Sequence, residues 1–307
     1  MTSRPFGLLL LFGLIACGGY RPPPVVTPPI VVEPPPVVVP PLDQIGDFRS
    51  FWCSGVFYII GDQPEPRPEC LEQYKARGYR DAWVTVTRDA GLPGIAPFDY
   101  LGNPSRYRVL AQRFIASGIR VHPVIGCEDA EAYCRRVHGA FPAWLDHVVA
   151  FVAATDDLTT SYVIGVEVRE WATWDQLLQI IQRVSAVTDR PIIPHFNQRV
   201  WGPSSADPWS GGGQIAFWRR AIQLAGGPQS LAAALQYAHD RVEDSGGGFV
   251  STPTEVREFT RAIVDRLGPL GVAVIASEYA YRMPMDQASA LGRIGRQAGA
   301  AGCMNGC

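Results

Sequence analysis

The sequence contains little charge and few residues that suggest a metal or nucleic-acid site. Of 307 residues, 27 are Lys or Arg and 29 are Asp or Glu, which gives a formal net charge of −2. No basic cluster is present, and this argues against nucleic acid as a partner. The five His do not have zinc-finger spacing and no Cys-x-x-Cys pair occurs, so structural zinc is not expected.

The apolar run at the amino terminus is too short to span a bilayer and follows a single positive charge. Residues 1–16 therefore predict a signal peptide. The residues Leu14-Ile-Ala-Cys17-Gly18 resemble a bacterial lipobox, which implies that Cys17 is lipidated; the alternative is an ordinary signal peptide that contains a cysteine. Gly18 is not the Asp associated with inner-membrane retention. We expect export and a lipid anchor in the cell envelope, at the outer membrane if the cell is Gram-negative.

Two composition changes divide the rest of the chain. After Cys17, the stretch up to residue 42 alternates proline runs with valines, which favours an extended linker that cannot form a core. Residues 43–307 have the length of one α/β barrel domain. This domain contains six cysteines, which favour disulfides in an exported protein. A local bridge between Cys127 and Cys134 is expected, while the other pairings stay open.

Strand-like and helix-like segments alternate through this domain. The predicted strands are residues 54–59, 82–87, 120–125, 162–168, 191–196, 232–237, 272–277 and 300–304. The predicted helices are residues 68–77, 105–117, 130–138 with 142–154, 173–188, 214–224, 253–267 and 286–298. A doubly wound sheet is disfavoured, because no Gly-rich phosphate turn follows the first strand. Eight strands predict a (β/α)₈ TIM barrel whose last helix is missing or truncated.

Polar residues follow the predicted strands at the end where barrel enzymes place their active sites. They are Arg88, His122, Glu167, Arg169, Glu170, His195, Asn197, Tyr237, His239 and Glu278. Glu at the ends of strands four and seven, with Arg ending strand two, resembles the clan A glycoside hydrolases, such as the family 5 cellulases. Ile275-Ala-Ser-Glu278-Tyr279 is similar to the segment that carries the nucleophile in that clan, and Trp83-Val-Thr-Val-Thr-Arg88 to its strand two.

Strand four departs from the pattern of the clan. Arg169 occupies the position where the clan usually has Asn, and Glu167 precedes Glu170 by three residues. Period-two alternation places Glu167 and Glu170 on opposite sides of a strand, so a bulge or the strand end must turn Glu170 inward. We favour Glu170 as the acid, with Glu167 as the alternative.

The resemblance implies a retaining hydrolase that cleaves a β-linked poly- or oligosaccharide without a cofactor or metal. Glu278 is then the nucleophile and the strand-four glutamate the acid/base. The supporting residues are Arg88, His195, Asn197, Tyr237 and His239. Aromatic side chains on the predicted loops are candidates for stacking on sugar: Trp171, Trp174, Trp201, Trp209 and Tyr281.

Two other functions stay open at this stage. One is a non-catalytic barrel that binds glycan or acts in surface interactions. The other is a metal-dependent barrel enzyme, such as a sugar isomerase. Its ligands for Zn²⁺ or Mn²⁺ would be Glu167, His195, His239 and Glu278.

Overall fold

The fold is described from a computed structural model. It describes residues 49–52, 57–60, 63–66, 81–88, 98–126, 137–165, 171–197, 213–236, 252–277 and 285–304. All of them belong to Val38–Cys307, the second of the two units into which the chain divides. The predicted signal peptide and linker, residues 1–42, lie outside the described residues. Within the described parts, no helix has the length and apolar character needed to cross a membrane.

Eight parallel strands close into a barrel, which confirms the predicted α/β barrel. In chain order they are β1 (Arg49–Trp52), β2 (Asp81–Thr85), β3 (Arg120–Ile125), β4 (Tyr162–Ile164), β5 (Ile192–Asn197), β6 (Ala232–Gln236), β7 (Ala273–Ser277) and β8 (Gly302–Met304). Each strand pairs with the next, and β8 pairs with β1, where Arg49 is opposite Cys303.

The first strand is not where the sequence predicts it. The sequence predicts that residues 54–59 start the barrel, but β1 precedes them, and Phe57–Ile60 pairs antiparallel with Gln63–Pro66. Two residues separate these short strands, which suits a hairpin. Pro64 and Pro66 have no backbone N–H to donate and belong in an edge strand rather than in a barrel ladder.

Six α-helices in the described residues alternate with the strands. They are α1 (Pro104–Ala116), α2 (Phe141–Thr155), α3 (Trp174–Ser185), α4 (Gly213–Leu224), α5 (Pro253–Leu267) and α6 (Met285–Gln297). Helix α5 has the predicted bounds and begins with a capping box, in which the Thr252 hydroxyl accepts from the Glu255 N–H. The predicted helix 68–77 and most of 130–138 lie outside the described residues.

Side chains of the strands alternate between two apolar clusters. One cluster fills the barrel and consists of Trp83, Val124, Val163, Ile193, Ala232, Ala234 and Ile275. The other lies between the strands and the helices and includes Val84, Tyr162, Phe196 and Trp218. The odd-numbered residues of β2, β4, β5 and β7 and the even-numbered residues of β3 and β6 therefore face the interior.

Candidate functional site

The carboxyl ends of β5, β6 and β7 are in register with one another. Gln236 is the register partner of both Asn197 and Ser277. Tyr237 and Glu278 are the next residues in the chain after Gln236 and Ser277. Consecutive Cα atoms are about 3.8 Å apart, so the Cα atoms of Tyr237 and Glu278 are one such step beyond the last residues of β6 and β7. Their side chains, and those of His239 and Asn197, lie outside the described part of the structure.

The end of β4 interrupts the strand alternation before the candidate acids. The strand ends at Ile164, and Gly165 follows with φ of +108°, a conformation that favours glycine. Its N–H still donates to the Ile125 carbonyl at 2.8 Å. Val163 faces the interior, but its alternation cannot be continued past Gly165 to predict the direction of Glu167 or Glu170. Both of these residues lie outside the described residues. Gly165 therefore interrupts the strand before both candidates, and which of them turns inward stays a prediction.

Arg88 does not end a barrel strand, as the sequence predicts it to. Strand β2 ends at Thr85, and Thr87–Arg88 form a separate antiparallel pair with Phe98–Asp99. The backbone of Arg88 thus lies beyond the barrel, on the carboxyl side of β2. Its side chain is outside the described part, so a contact with Glu278 stays a prediction.

A buried histidine contacts the small sheet that carries Arg88. His138 Nε2 lies 2.9 Å from Asp99 Oδ2, and the His138 side chain is nearly buried. The Gly102 N–H donates to the other Asp99 oxygen at 3.2 Å. Burial alone would raise the pKa of Asp99. The contact with His138 and backbone N–H donors outweigh burial, and the pKa is lowered.

This lowered pKa predicts that Asp99 stabilises the fold in a pH-dependent way. A carboxyl whose pKa is depressed on folding contributes stability above its unfolded value, here 3.8, and loses it as pH falls through the folded value. We expect Asp99→Asn to be less stable than the unsubstituted protein at pH 6. The difference should shrink as the pH falls below about 4. Urea unfolding of both proteins across this range measures it, and a difference independent of pH would contradict the expectation.

The predicted supporting residue His195 lies inside the barrel, below the rim. It is 1% exposed and packs edge-on against Trp83, with ring centroids 6.1 Å apart. Its register partner is Ala234, two residues before the end of β6. His195 and Trp83 thus pack against each other inside the barrel, below the carboxyl ends of the strands.

Two of the predicted sugar-binding tryptophans pack on the outer apolar cluster. Trp171 contacts Trp144 edge-on at 5.5 Å, and Trp174 lies 4.8 Å from Phe217, measured between ring centroids. Both are only partly buried. Sugar stacking by these residues stays a prediction and would use the exposed part of each ring. Trp201, Trp209 and Tyr281 lie outside the described residues.

The cysteine predictions are largely beyond the described chain. Cys17, Cys127 and Cys134 lie outside it, and Cys303 is disulfide-bonded to a partner that also lies outside it. Among the described residues, no group of three or more His, Cys, Asp or Glu could hold a metal ion. Of the ligands in the metal alternative, only His195 is described.

A polar cluster that the sequence does not predict lies at the opposite end of the barrel. Asp81 Oδ1 accepts from His122 Nε2 at 2.8 Å, and Arg120 Nη2 donates to Oδ2 at 2.7 Å. His122 Nδ1 lies 2.6 Å from Ser161 Oγ. Asp81, His122 and Ser161 are fully buried. His122, expected at a carboxyl end, is the third residue of β3 and lies near its amino end.

These residues resemble a catalytic triad in composition but not in setting. Catalytic residues of α/β barrels lie at the carboxyl ends of the strands, whereas this cluster joins the amino ends of β2, β3 and β4. Ser161 has no exposed surface through which a substrate could reach it. The cluster therefore ties three adjacent strands together. The sequence contains a signal for this cluster. Asp81 and Trp83 are two residues apart at the start of β2, so their side chains face the same side of the sheet.

Comparisons with known proteins show similarity at the level of fold. No family model matches the chain. No curated protein matches it either. Among solved structures, Cel5A of Thermotoga maritima in complex with mannotriose is similar over 86% of this chain and 92% of its own, with 12% identity and a TM-score of 0.53. Endo-glycoceramidase II from Rhodococcus sp. is similar over 83% and 71%, with 13% identity and a TM-score of 0.51.

A phospho-2-dehydro-3-deoxyheptonate aldolase of Thermotoga maritima matches 81% of this chain with 10% identity and a TM-score of 0.45, and the chain spans 62% of that enzyme's length. A β-glucosidase of Thermotoga maritima is similar over 77% of this chain and 75% of its own, with 11% identity and a TM-score of 0.50. At these identities the likeness shows the barrel fold, and activity has to be argued from the site.

Proposed function

We propose that this protein is a retaining glycoside hydrolase that cleaves a β-linked poly- or oligosaccharide. The observation that carries the proposal is that Glu278 directly follows β7 at the rim of a closed parallel barrel. Its predecessor Ser277 is in register with Gln236, which precedes Tyr237, and Gln236 is in turn paired with Asn197. Chemistry on this fold takes place at that rim.

The proposed reaction divides the work between two carboxyl groups. Ionised Glu278 attacks the anomeric carbon, and the glycosidic oxygen leaves with the bonding electron pair and a proton from the acid. Water then hydrolyses the glycosyl-enzyme while the acid, now a carboxylate, takes the proton of that water. In this proposal Tyr237 holds the nucleophile by donating a hydrogen bond, and Arg88 favours its ionised form.

We assign the acid role to Glu170, with Glu167 as the alternative. Gly165 removes the main objection to this assignment. Regular alternation from Val163 would favour Glu167 as the inward residue, but alternation is interrupted at Gly165. With this interruption, Glu170 no longer has to lie on the outward side.

The proposed location of the enzyme rests on the amino-terminal sequence. Cys17 is proposed to be the lipidated residue that anchors the enzyme in the cell envelope, and the proline-rich stretch to residue 42 the spacer between membrane and barrel. A polyproline spacer of this length would extend on the order of 65 Å, since each residue adds about 3.1 Å. This distance would let a membrane-anchored barrel reach polymeric substrate.

Product stereochemistry tests the proposal. We expect the protein without its amino-terminal 42 residues to hydrolyse at least one member of a panel of β-linked gluco-, manno- and xylo-oligosaccharides. Proton NMR of the first product should show the β-anomer before mutarotation, because a double displacement retains configuration. Initial appearance of the α-anomer would contradict retention. Absence of hydrolysis across the panel would favour a non-catalytic glycan-binding barrel.

A further inference from the structure

Two glycine backbones are in close contact where β3 and β4 end. A Cβ built on Gly126 would lie 3.3 Å from the Gly165 carbonyl carbon and 3.4 Å from its Cα. Both neighbouring atoms belong to the backbone, so no flexible side chain could move aside. Gly165 in turn needs its positive φ of +108°. Neither position therefore accommodates a larger residue without moving the chain that leaves β4.

The hydroxyl of Thr87, two residues after β2, holds this contact in place. Thr87 Oγ1 donates to the Gly126 carbonyl oxygen at 2.9 Å, and Thr87 is 9% exposed. The backbone pairing between β2 and β3 ends with a hydrogen bond from the Val86 N–H to the Val124 carbonyl at 3.1 Å. Thr87 thus extends the connection from β2 to β3 by one side-chain bond, just where Gly126 meets Gly165.

We propose that Thr87, Gly126 and Gly165 are positioning residues that set the direction in which the chain leaves β4 and thereby place the acid carboxyl group. The inference rests on the proposed function. Glu167 follows Gly165 by two residues and Glu170 by five. A change in the backbone angles of Gly165 would redirect the segment that carries both candidates. The three positioning residues themselves do not take part in proton transfer.

The chemistry of the acid makes such a role measurable. Protonation of the glycosidic oxygen matters most when the leaving group is strongly basic, as phenolate is. It contributes little when the leaving group is weakly basic, as 2,4-dinitrophenolate is. A displacement of about 1 Å of a catalytic group can cost about 10²-fold in rate. A misplaced acid should therefore slow substrates with poor leaving groups selectively, whereas a general loss of folding slows all substrates equally.

The experiment compares two aryl glycosides of the sugar that the wild-type protein hydrolyses, one with 2,4-dinitrophenol and one with phenol as leaving group. We expect Thr87→Val to lower kcat/KM for the phenyl glycoside about 10-fold, because the acid is displaced. The value for the dinitrophenyl glycoside should change less than about 2-fold, since it needs little protonation. Thr87→Ser keeps the hydroxyl and should restore both. Gly165→Ala should show the same selectivity with a larger loss.

A matched control is Thr155→Val, which removes another buried hydroxyl that donates to a backbone carbonyl, that of Phe151, at the end of α2. It should leave the ratio of the two substrates unchanged. If Thr87→Val slows both glycosides equally, or neither, while the wild-type protein hydrolyses them, the positioning role is wrong and the proposed function stands. If the wild-type protein hydrolyses neither glycoside of any sugar tested, the proposed function and the inference fail together.

Discussion

Replacing Asp81 with alanine is expected to lower the free energy of unfolding by about 3 kcal/mol, because it removes the shared acceptor of a buried charge pair. Asp81 has no exposed surface and accepts from both Arg120 and His122. His122 is equally buried and cannot turn to water. Arg120 is 37% exposed and can recover part of its hydration, so we expect the lower part of the range for broken buried pairs.

The chain contains a matched surface control for this experiment. Asp157 also pairs with an arginine through two hydrogen bonds, to Arg108, but its side chain is 61% exposed. We expect Asp157→Ala to change the free energy of unfolding by no more than about 1 kcal/mol, since exposed pairs contribute little. Chemical denaturation of the two variants measures the difference. Equal effects would show that the barrel-end cluster does not stabilise the fold as described.

The second large effect is expected at Glu278. Glu278→Gln keeps the size of the side chain and removes the charge that attacks the anomeric carbon, so kcat/KM should fall by about 10⁴-fold or more. Binding of the same glycan should persist, because the amide still offers hydrogen bonds. Initial rates and an affinity measurement on one glycan separate these two properties.

A surface substitution of the same kind serves as its control. Glu258 lies on an exposed face of α5, and Glu258→Gln should leave both hydrolysis and binding unchanged. Undiminished hydrolysis in Glu278→Gln would exclude Glu278 as the nucleophile.

The sequence predicts those parts of the fold that local patterns determine. The bounds of α5 follow from a capping box with Pro253 at the first helical position, and β3 from a run between Gly118 and the carboxyl end at Ile125. Helix α3 is shorter than predicted and ends at Ser185 instead of residue 188. Such local signals specify an element and, through their order, the barrel.

Features that depend on partners distant in sequence are not readable in the same way. The choice between residues 49–52 and 54–59 as the first strand depends on pairing with both β2 and β8. The height of His122 depends on Asp81 and Ser161, about forty residues away on either side. The break at Gly165 is a single backbone angle, and glycine in a strand pattern signals it only weakly.

The most direct test of the proposed mechanism is covalent trapping of the nucleophile. The protein is incubated with a panel of activated 2-deoxy-2-fluoro-β-glycosides, whose glycosyl-enzyme intermediates hydrolyse slowly, and the labelled peptide is sequenced by mass spectrometry. A retaining hydrolase with Glu278 as nucleophile predicts one added sugar on the peptide that contains Glu278 and loss of activity in step with labelling. A label on another carboxylate, or hydrolysis of natural glycan with no covalent label from its matching sugar, would contradict it.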